Sequence, residues 1–355
     1  MPDTTEKASG YPTGWFPVAF TAEVERGQVA RSALAGEDVV IYRTTNGILR
    51  VIRPYCPHLG AHLGYGGRVE GEFLVCPFHG FAFDPNGTCA RTGYGTLPPR
   101  AQLTVLPSGE ANGLVYAWYS PAGDLPAWEF ASVPAEGFGK PVDWMTTGPG
   151  HPMDFIENTV DFGHFPSEHG TRVVTESGKY PHPEYGDFQM LVTIPLQGFQ
   201  FSKIGVTVKI TCDGLGHAIG EFDVPQVRLR VRENLGWTPV GPGRIAFRKS
   251  SFTMFDLRVG KRHPARLAAA AITPIVSRVM SAGAVRQGNK DVIIWGHRRF
   301  VEHPKLARGD GPIMEYRRWA ARFFAPDDLA VLADRSAAAP LNADARKPSL
   351  HGHEE

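Results

Sequence analysis

The chain has 355 residues, 42% of them hydrophobic, and a formal net charge of +1. That length holds two domains, and the near-neutral charge gives no footing for nucleic acid or an anionic membrane surface. No run of about 18 apolar residues stands out as a membrane span, and the opening MPDTTEKASG lacks a charged-then-apolar leader. A cytoplasmic location is therefore the default expectation. The four cysteines, Cys56, Cys76, Cys89 and Cys212, are too sparse for a disulfide framework. With 40 Gly and 30 Pro, the chain reads as short strands joined by many turns.

Residues 1–10 are polar and expected to be disordered. From Gly14 to about Ser120, β-branched and aromatic runs at 38–44, 48–54, 73–77 and 113–120 predict an all-β domain. Thr45-Asn46-Gly47 and Asp84-Pro85-Asn86-Gly87 supply turns. Within this domain stand Cys56-Pro57-His58 and, seventeen residues on, Cys76-Pro77-Phe78-His79. Two thiolates and two imidazoles can close a tetrahedral zinc site. They can also hold a 2Fe–2S cluster, with both cysteines on one iron and both histidines on the other, which is a Rieske centre. Zinc sites usually pair Cys with Cys and His with His along the chain. Here each loop carries one of each, which favours a cluster clamped from both sides. Leu59-Gly60 and Phe78-His79-Gly80 add apolar cover and small residues that let backbone approach bridging sulfur. Cys89 and Cys212 read as ordinary thiols.

Residues 121–145 are rich in Pro, Ala and Gly and read as a linker. A helix is expected over 153–164, with Asp161 and His164 one turn apart on a shared face. His164 and His169 are five apart and would diverge on an unbroken helix. Pro166 interrupts the turn and can let both imidazoles converge. Such a pair is half of a two-His-one-carboxylate site for Fe(II), although two histidines five apart are often simply core or surface residues. A one-electron cluster upstream strengthens the metal reading, since its electrons need a destination.

Runs at 188–196, 199–213, 218–224, 227–234 and 244–256 predict long antiparallel strands. Gly214, Gly216 and Gly220 imitate a dinucleotide fingerprint but have the wrong spacing and lie between strands, so they read as a turn. The Ala-rich segment 264–285, apart from Pro274, reads first as a helix packed over the sheet or across a pocket mouth, with a membrane-surface helix as the weaker alternative. Residues 287–295 read as a further helix with Asp291 beside its apolar face. Alone, Asp291 is either a solvated helix aspartate or the missing carboxylate ligand. The end of the chain, with His351 and His353, reads as a loose solvated tail.

Three stretches carry a family resemblance. GWFPVA at 14–19, YCPHLGAHLGYGGRVEG at 55–71 and LVCPFHGFAFDPNGTC at 74–89 resemble the N-terminal domain of Rieske non-haem iron oxygenases. Asn158, Asp161, His164 and His169 stand where that family carries its Asn/Glu-x-x-Asp-x-x-His-x-x-x-x-His motif. The run from Asp291 to Phe324 is similar to the end of the catalytic domain in steroid-directed members, the ketosteroid 9α-hydroxylases and cholesterol 7-desaturases. The resemblance implies an α+β chain: an all-β Rieske domain over 11–125, a linker over 126–145, a helix-grip catalytic domain over 146–325 and a tail over 326–355. It implies a 2Fe–2S cluster on Cys56, His58, Cys76 and His79, and a mononuclear Fe(II) on His164, His169 and Asp291. Asp161 becomes a bridging aspartate that bonds His164 and reaches His79 of a neighbouring subunit in a head-to-tail homotrimer. O2 and a separate NAD(P)H-dependent reductase or ferredoxin are the implied partners, since no flavin or nicotinamide site is visible. The implied substrate is an apolar polycyclic sterol or steroid, to be hydroxylated, desaturated or demethylated. Hydroxylation or O-demethylation of a small aromatic compound is the alternative within the class. Outside it stand a pure electron carrier and a zinc-stabilised lipid-binding protein.

Overall fold

The computed structural model describes residues 10–198, 205–257 and 264–326. The readings made for 1–10 and for the tail at 326–355, with His351 and His353, lie almost wholly outside these residues. So does the first part of the strand expected at 199–213.

Eleven strands build the N-terminal part: β1 (Gly14–Phe20), β2 (Val29–Leu34), β3 (Glu37–Arg43), β4 (Leu49–Ile52), β5 (Arg68–Glu70), β6 (Phe73–Val75), β7 (Ala82–Phe83), β8 (Cys89–Arg91), β9 (Val105–Leu106), β10 (Ser108–Ala111) and β11 (Leu114–Tyr119). They form three small antiparallel sheets in the orders β1-β11-β10, β2-β3-β4-β9 and β5-β6-β7-β8. Successive side chains of a strand point to opposite faces, and β3 uses both. Val39 and Ile41 enter one core with Phe16, Val18, Leu34 and Val115, while Val40 and Tyr42 enter a second with Leu63, Leu74, Phe81, Cys56 and Cys76. The two Cys-His loops are thus seated on their own apolar core. Gly47, at φ 100°, closes the expected hairpin between β3 and β4. Cys89 lies in the same core as the loops, and burial raises its thiol.

The second half is one eight-stranded antiparallel sheet. Its strands are β12 (Val142–Pro149), β13 (Arg172–Val173), β14 (Glu184–Tyr185), β15 (Gln189–Gln197), β16 (Gly205–Asp213), β17 (His217–Val224), β18 (Leu229–Gly241) and β19 (Arg244–Phe255). They run in the order β12-β19-β18-β17-β16-β15-β13, with β14 paired to β15. Helix α1 (Pro152–Glu157) packs on β18, α2 (Pro264–His297) on β12 and β19, and α3 (Ile313–Ala320) on α1. The chain is an all-β N-terminal domain followed by an antiparallel sheet with helices. β12 begins at Val142, so residues 142–145 belong to the sheet and not to the expected linker.

Three expectations are corrected. The helix expected over 153–164 stops at Glu157, and turns carry the chain on to a π-helical turn at Phe165–His169. The segments 264–285 and 287–295 are one helix of 34 residues that runs through Pro274. That helix also overturns the absence of a span-length segment: Leu267–His297 is long and apolar enough, by length and composition, to cross a membrane, and 11% of its apolar window is buried. Gly and Pro scattered among the alanines hide the run from a scan for unbroken apolar residues.

The two halves meet along β1, where the glycines at 216 and 236 have their use. A Cβ on Gly216 would lie 2.3 Å from Trp15 O, and one on Gly236 would lie 1.9 Å from Pro17 Cγ. Close backbone approach, not a nucleotide, explains the glycine at 216. In the same seam Tyr116 Oη lies 2.8 Å from His217 Nε2, and burial holds that imidazole down at about 3. An unfolded histidine takes up its proton near pH 6.5. Between those two values the unfolded chain binds more protons, so this group's contribution to stability is lost as pH falls through the window. Asp213, whose carboxylate accepts from Ala131 N at 2.6 Å, acts oppositely. Burial pushes its carboxyl from 3.8 up to about 6, so here the folded chain binds more protons and stability is lost as pH rises through that range. The two slopes oppose each other between about pH 4 and 6. Asp213→Asn is therefore expected to steepen acid destabilisation by about 1.4 kcal/mol per pH unit in that range, read from urea unfolding at several pH values. An unchanged slope contradicts the assignment.

Candidate metal centres

The two Cys-His loops are built alike. Each starts on a buried cysteine followed by proline and ends on a left-handed glycine whose N–H returns to the cysteine carbonyl. Gly60 N donates to Cys56 O at 2.9 Å and Gly80 N to Cys76 O at 3.1 Å, with φ of 73° and 65°. Cys56 N–H and Cys76 N–H bond Ala61 O and Phe81 O, both at 2.8 Å, which closes each loop. A Cβ at Gly80 would sit 3.0 Å from Gly93 Cα, so the second loop also lies tight against its neighbour. The geometry turns both imidazoles to the same end of the domain, their ring centres 4.7 Å apart, with His58 stacked on Phe81 at 4.3 Å. Leu59 and Phe78 stand exposed beside them.

These four residues fit a cluster chemically. His58 Nδ1 is buried and has no hydrogen-bond partner, as a nitrogen reserved for a metal would. Burial and then the neighbouring Cys76 push the Cys56 thiol up to about 11. A thiol there ionises only against a strong local positive charge, which a bound iron provides. Among the described residues, the set of three or more His, Cys, Asp or Glu donors lying within 4.8 Å of one another is a different one, His164, His169 and Asp291.

The second centre starts from the broken helix. Gly170 N–H donates to Phe165 O, which makes Phe165–His169 a π-helical turn. A π turn widens the helical period, so residues five apart come to one side. His164 and His169 accordingly face each other with ring centres 5.0 Å apart and planes at 82°. Pro166 predicts the break but not its kind. Asp291 comes from α2, is 7% exposed, and places Oδ2 3.3 Å from His169 Nε2. Asn158 Nδ2 donates to the same oxygen at 3.4 Å. Gln287, one turn before Asp291, places Oε1 3.4 Å from His169 Nδ1. Sequence reading passed over Gln287, although its four-residue spacing from Asp291 was there to be seen.

His164 Nδ1 lies 2.5 Å from the backbone oxygen of Asp161. The expected bond to the imidazole therefore runs through Asp161's main chain, while the Asp161 carboxylate interacts with the His164 backbone. The main-chain bond puts the proton on Nδ1 and leaves Nε2 free to ligate. His164 Nε2 is buried and unpartnered. Burial lowers the His164 imidazole below its ordinary value. At His169 burial pulls the same way, but hydrogen bonding to and charge from Asp291 outweigh it and raise the group. Burial raises the Asp161 carboxyl. Two imidazole nitrogens and a carboxylate oxygen, with an orphaned buried nitrogen among them, fit a facial Fe(II) site.

A cavity of about 240 Å³ opens beside this trio. Ile194, Val208, Phe222, Leu235 and Phe247 form much of its wall, each from a different strand, and α2 closes one side with Val292 and Trp295. Trp295, one turn beyond Asp291, packs on Phe155 at 4.1 Å.

Comparison with known proteins places both halves. Residues 14–99 match the family model of the Rieske 2Fe–2S domain, and residues 117–324 match that of the 3-ketosteroid 9alpha-hydroxylase C-terminal domain. A cholesterol 7-desaturase of Bombyx mori is 28% identical over 331 residues, spanning 90% of this chain and 71% of that protein. A 3-ketosteroid-9-alpha-monooxygenase oxygenase component of Rhodococcus rhodochrous is 23% identical over 338 residues, spanning 88% and 84%. Among solved structures, dicamba monooxygenase bound to dicamba shares the fold with a TM-score of 0.61 at 16% identity, over 90% of this chain and 98% of that one.

Proposed function

The chain belongs to the Rieske non-haem iron oxygenases, in the group defined by the 3-ketosteroid 9alpha-hydroxylase C-terminal domain, and from that premise we propose that it oxidises a sterol or steroid with O2. The observation that carries the reading is the trio His164, His169 and Asp291, half-buried to buried and within 4.8 Å of one another in the wall of an apolar cavity. In this reading Cys56, His58, Cys76 and His79 hold the 2Fe–2S cluster, and the trio holds one Fe(II). The cluster supplies single electrons and the ferrous site supplies O2 chemistry.

The residues divide the remaining work. Asp161 O holds the His164 proton on Nδ1, and Gln287 orients His169. Asn158 steadies the Asp291 carboxylate. Lys290 Nζ donates to Glu168 O at 2.7 Å and ties α2 to the π turn, so the carboxylate is presented in register with the imidazoles. Phe155 and Trp295, packed on each other, line the same cavity as the trio and make its wall apolar, which keeps out water that would otherwise compete with an apolar substrate. The Asp161 carboxylate does not hold the His164 ring, which Asp161 O holds, and in this reading the carboxylate faces His79 of the next subunit in a head-to-tail trimer. That ring is the proposed assembly, and its role is to bring the cluster of one chain to the iron of another. Electrons come from a separate reductase, as the phrase "oxygenase component" in the Rhodococcus relative's name implies.

The test is anaerobic reduction of the iron-loaded protein, then addition of O2 with sterols, ketosteroids and aromatic acids, followed by product mass spectrometry. A sterol or ketosteroid is expected to gain oxygen or lose a pair of hydrogens. Oxidation of the aromatic acids alone overturns the substrate class and leaves the enzyme class standing.

A further inference from the structure

The cavity wall holds one feature the mechanism above does not use. Lys249, on β19, is 2% exposed, and its Nζ pairs with Glu233 Oε1, on β18, at 2.9 Å. Both residues line the apolar cavity. Lys249 Nζ also donates to Ser281 O of α2 at 3.2 Å, and Ser251 Oγ donates to Glu233 Oε1 at 3.4 Å. Burying an ion pair costs several kcal/mol in desolvation and is often no better for stability than apolar residues of the same size. The neighbours show that apolar residues fit this wall: Leu235 lies opposite Lys249 on β18, and Trp144 lies opposite it on β12. Gly220 lies opposite Glu233 on β17, and the Phe222 ring fills the space its missing side chain leaves. An ammonium group carries three protons, and among the described residues this one meets two acceptors, Glu233 Oε1 and Ser281 O. The position along α2 is informative too. Ser281, which anchors Lys249, and Asp291 are ten residues apart on one helix, about 15 Å of rise. The helix carbonyl that anchors Lys249 is therefore well separated along α2 from the position that supplies Asp291.

We propose that Lys249, held by Glu233, is the specificity-determining contact for an oxygen at the end of the substrate remote from the oxidised carbon. The ligand is an elongated apolar molecule whose long axis approaches that of a fused four-ring skeleton, with one terminal ketone or hydroxyl. Lys249 donates to either oxygen, and Glu233 accepts from a hydroxyl. A single aromatic ring is too short to reach both ends. The inference rests on the sterol or steroid reading and adds the group that is recognised and its place.

Binding to the fully metal-loaded protein tests it, followed by quenching of the cavity tryptophans Trp144, Trp237 and Trp295. The probes are cholesterol, cholestenone and their parent hydrocarbon cholestane, with androstenedione and androstane as a shorter set. The wild type is expected to bind the oxygenated member of each set at least about tenfold more tightly than its hydrocarbon, because a lone hydrocarbon leaves the buried polar pair unserved. Lys249→Met is expected to erase that preference for the ketones, cholestenone and androstenedione, which Glu233 cannot serve. The paired variant Lys249→Met/Glu233→Leu leaves no lone buried charge and should fold where the single one fails; it is expected to bind all members of a set within about twofold. A wild type without oxygen preference, or a paired variant that keeps it, overturns the inference alone. Failure of every polycyclic probe to bind the loaded wild type overturns the substrate reading, and this inference with it.

Discussion

Asp291→Ala is expected to empty the mononuclear site while leaving the cluster in place. Purified protein should keep its cluster absorbance, lose the additional ferrous ion by elemental analysis, and oxidise no substrate. The physical reason is that Asp291 brings the negative charge among the three donors, and it reaches His169 from an element far away in the chain. Without it two neutral imidazoles remain, too few to hold a divalent cation in a facial site. Gln287→Ala is the graded control. It removes the partner of His169 Nδ1 and not a donor, so its effect belongs in the range of about 10–100-fold on iron affinity that outer partners command. Asp291→Ala should exceed that range. Equal effects from the two variants would contradict the assignment of roles, and full iron retention in Asp291→Ala would remove the proposed site.

Asp161→Asn is expected to leave both metal centres loaded and to lower turnover by about a hundredfold or more. The geometry separates two tasks in one residue. His164 is held by the main-chain oxygen of Asp161, which the substitution keeps, so iron affinity should hardly change. The carboxylate is half-buried, its acid form favoured by burial, and is assigned to the contact with the neighbouring subunit's cluster histidine. Its loss should appear as slow reoxidation of the reduced cluster by O2 and substrate, in a protein of unchanged assembly by sedimentation. Normal turnover with full iron loading refutes the bridge. Loss of iron from Asp161→Asn would instead show that the carboxylate helps to hold His164.

How much of this was legible in the sequence depends on how local each feature is. The cluster loops are local: two Cys-Pro pairs, each with a histidine within three positions and a closing glycine, set the ligand types and the turn together. The two distal histidines were legible through Pro166, but the π turn that aligns them was not, because a proline marks a break without fixing the new period. Asp291 was recognisable through family resemblance and not through spacing. Its partner Asn158 is 133 positions away, a distance over which the pattern of a single chain carries no signal. The pair Lys249 and Glu233 was passed over for another reason. Charged residues within strand patterns read as a solvated face, yet β19 is covered on both sides: Arg248 donates to Pro17 O in the N-terminal domain, while Lys249, the next residue, enters the cavity. Burial of both faces by two domains defeats the alternation rule. The long helix α2 was read as two segments, 264–285 and 287–295, that the structure joins through Arg286, because intrinsic propensity is a weak guide to where a helix ends.

The central claim is that electrons leave a thiolate–imidazole cluster and are spent at His164, His169 and Asp291 on an apolar polycyclic molecule. It is tested most directly by reducing the cluster, removing excess reductant, and mixing with O2 in the presence and absence of a bound ketosteroid or sterol, with visible absorbance and product followed together. The account predicts that the cluster reoxidises quickly when substrate is bound and that product appears in proportion to the cluster oxidised. A cluster that reoxidises equally fast without substrate and yields no product, or a fully reconstituted protein that shows no cluster absorbance, would contradict it.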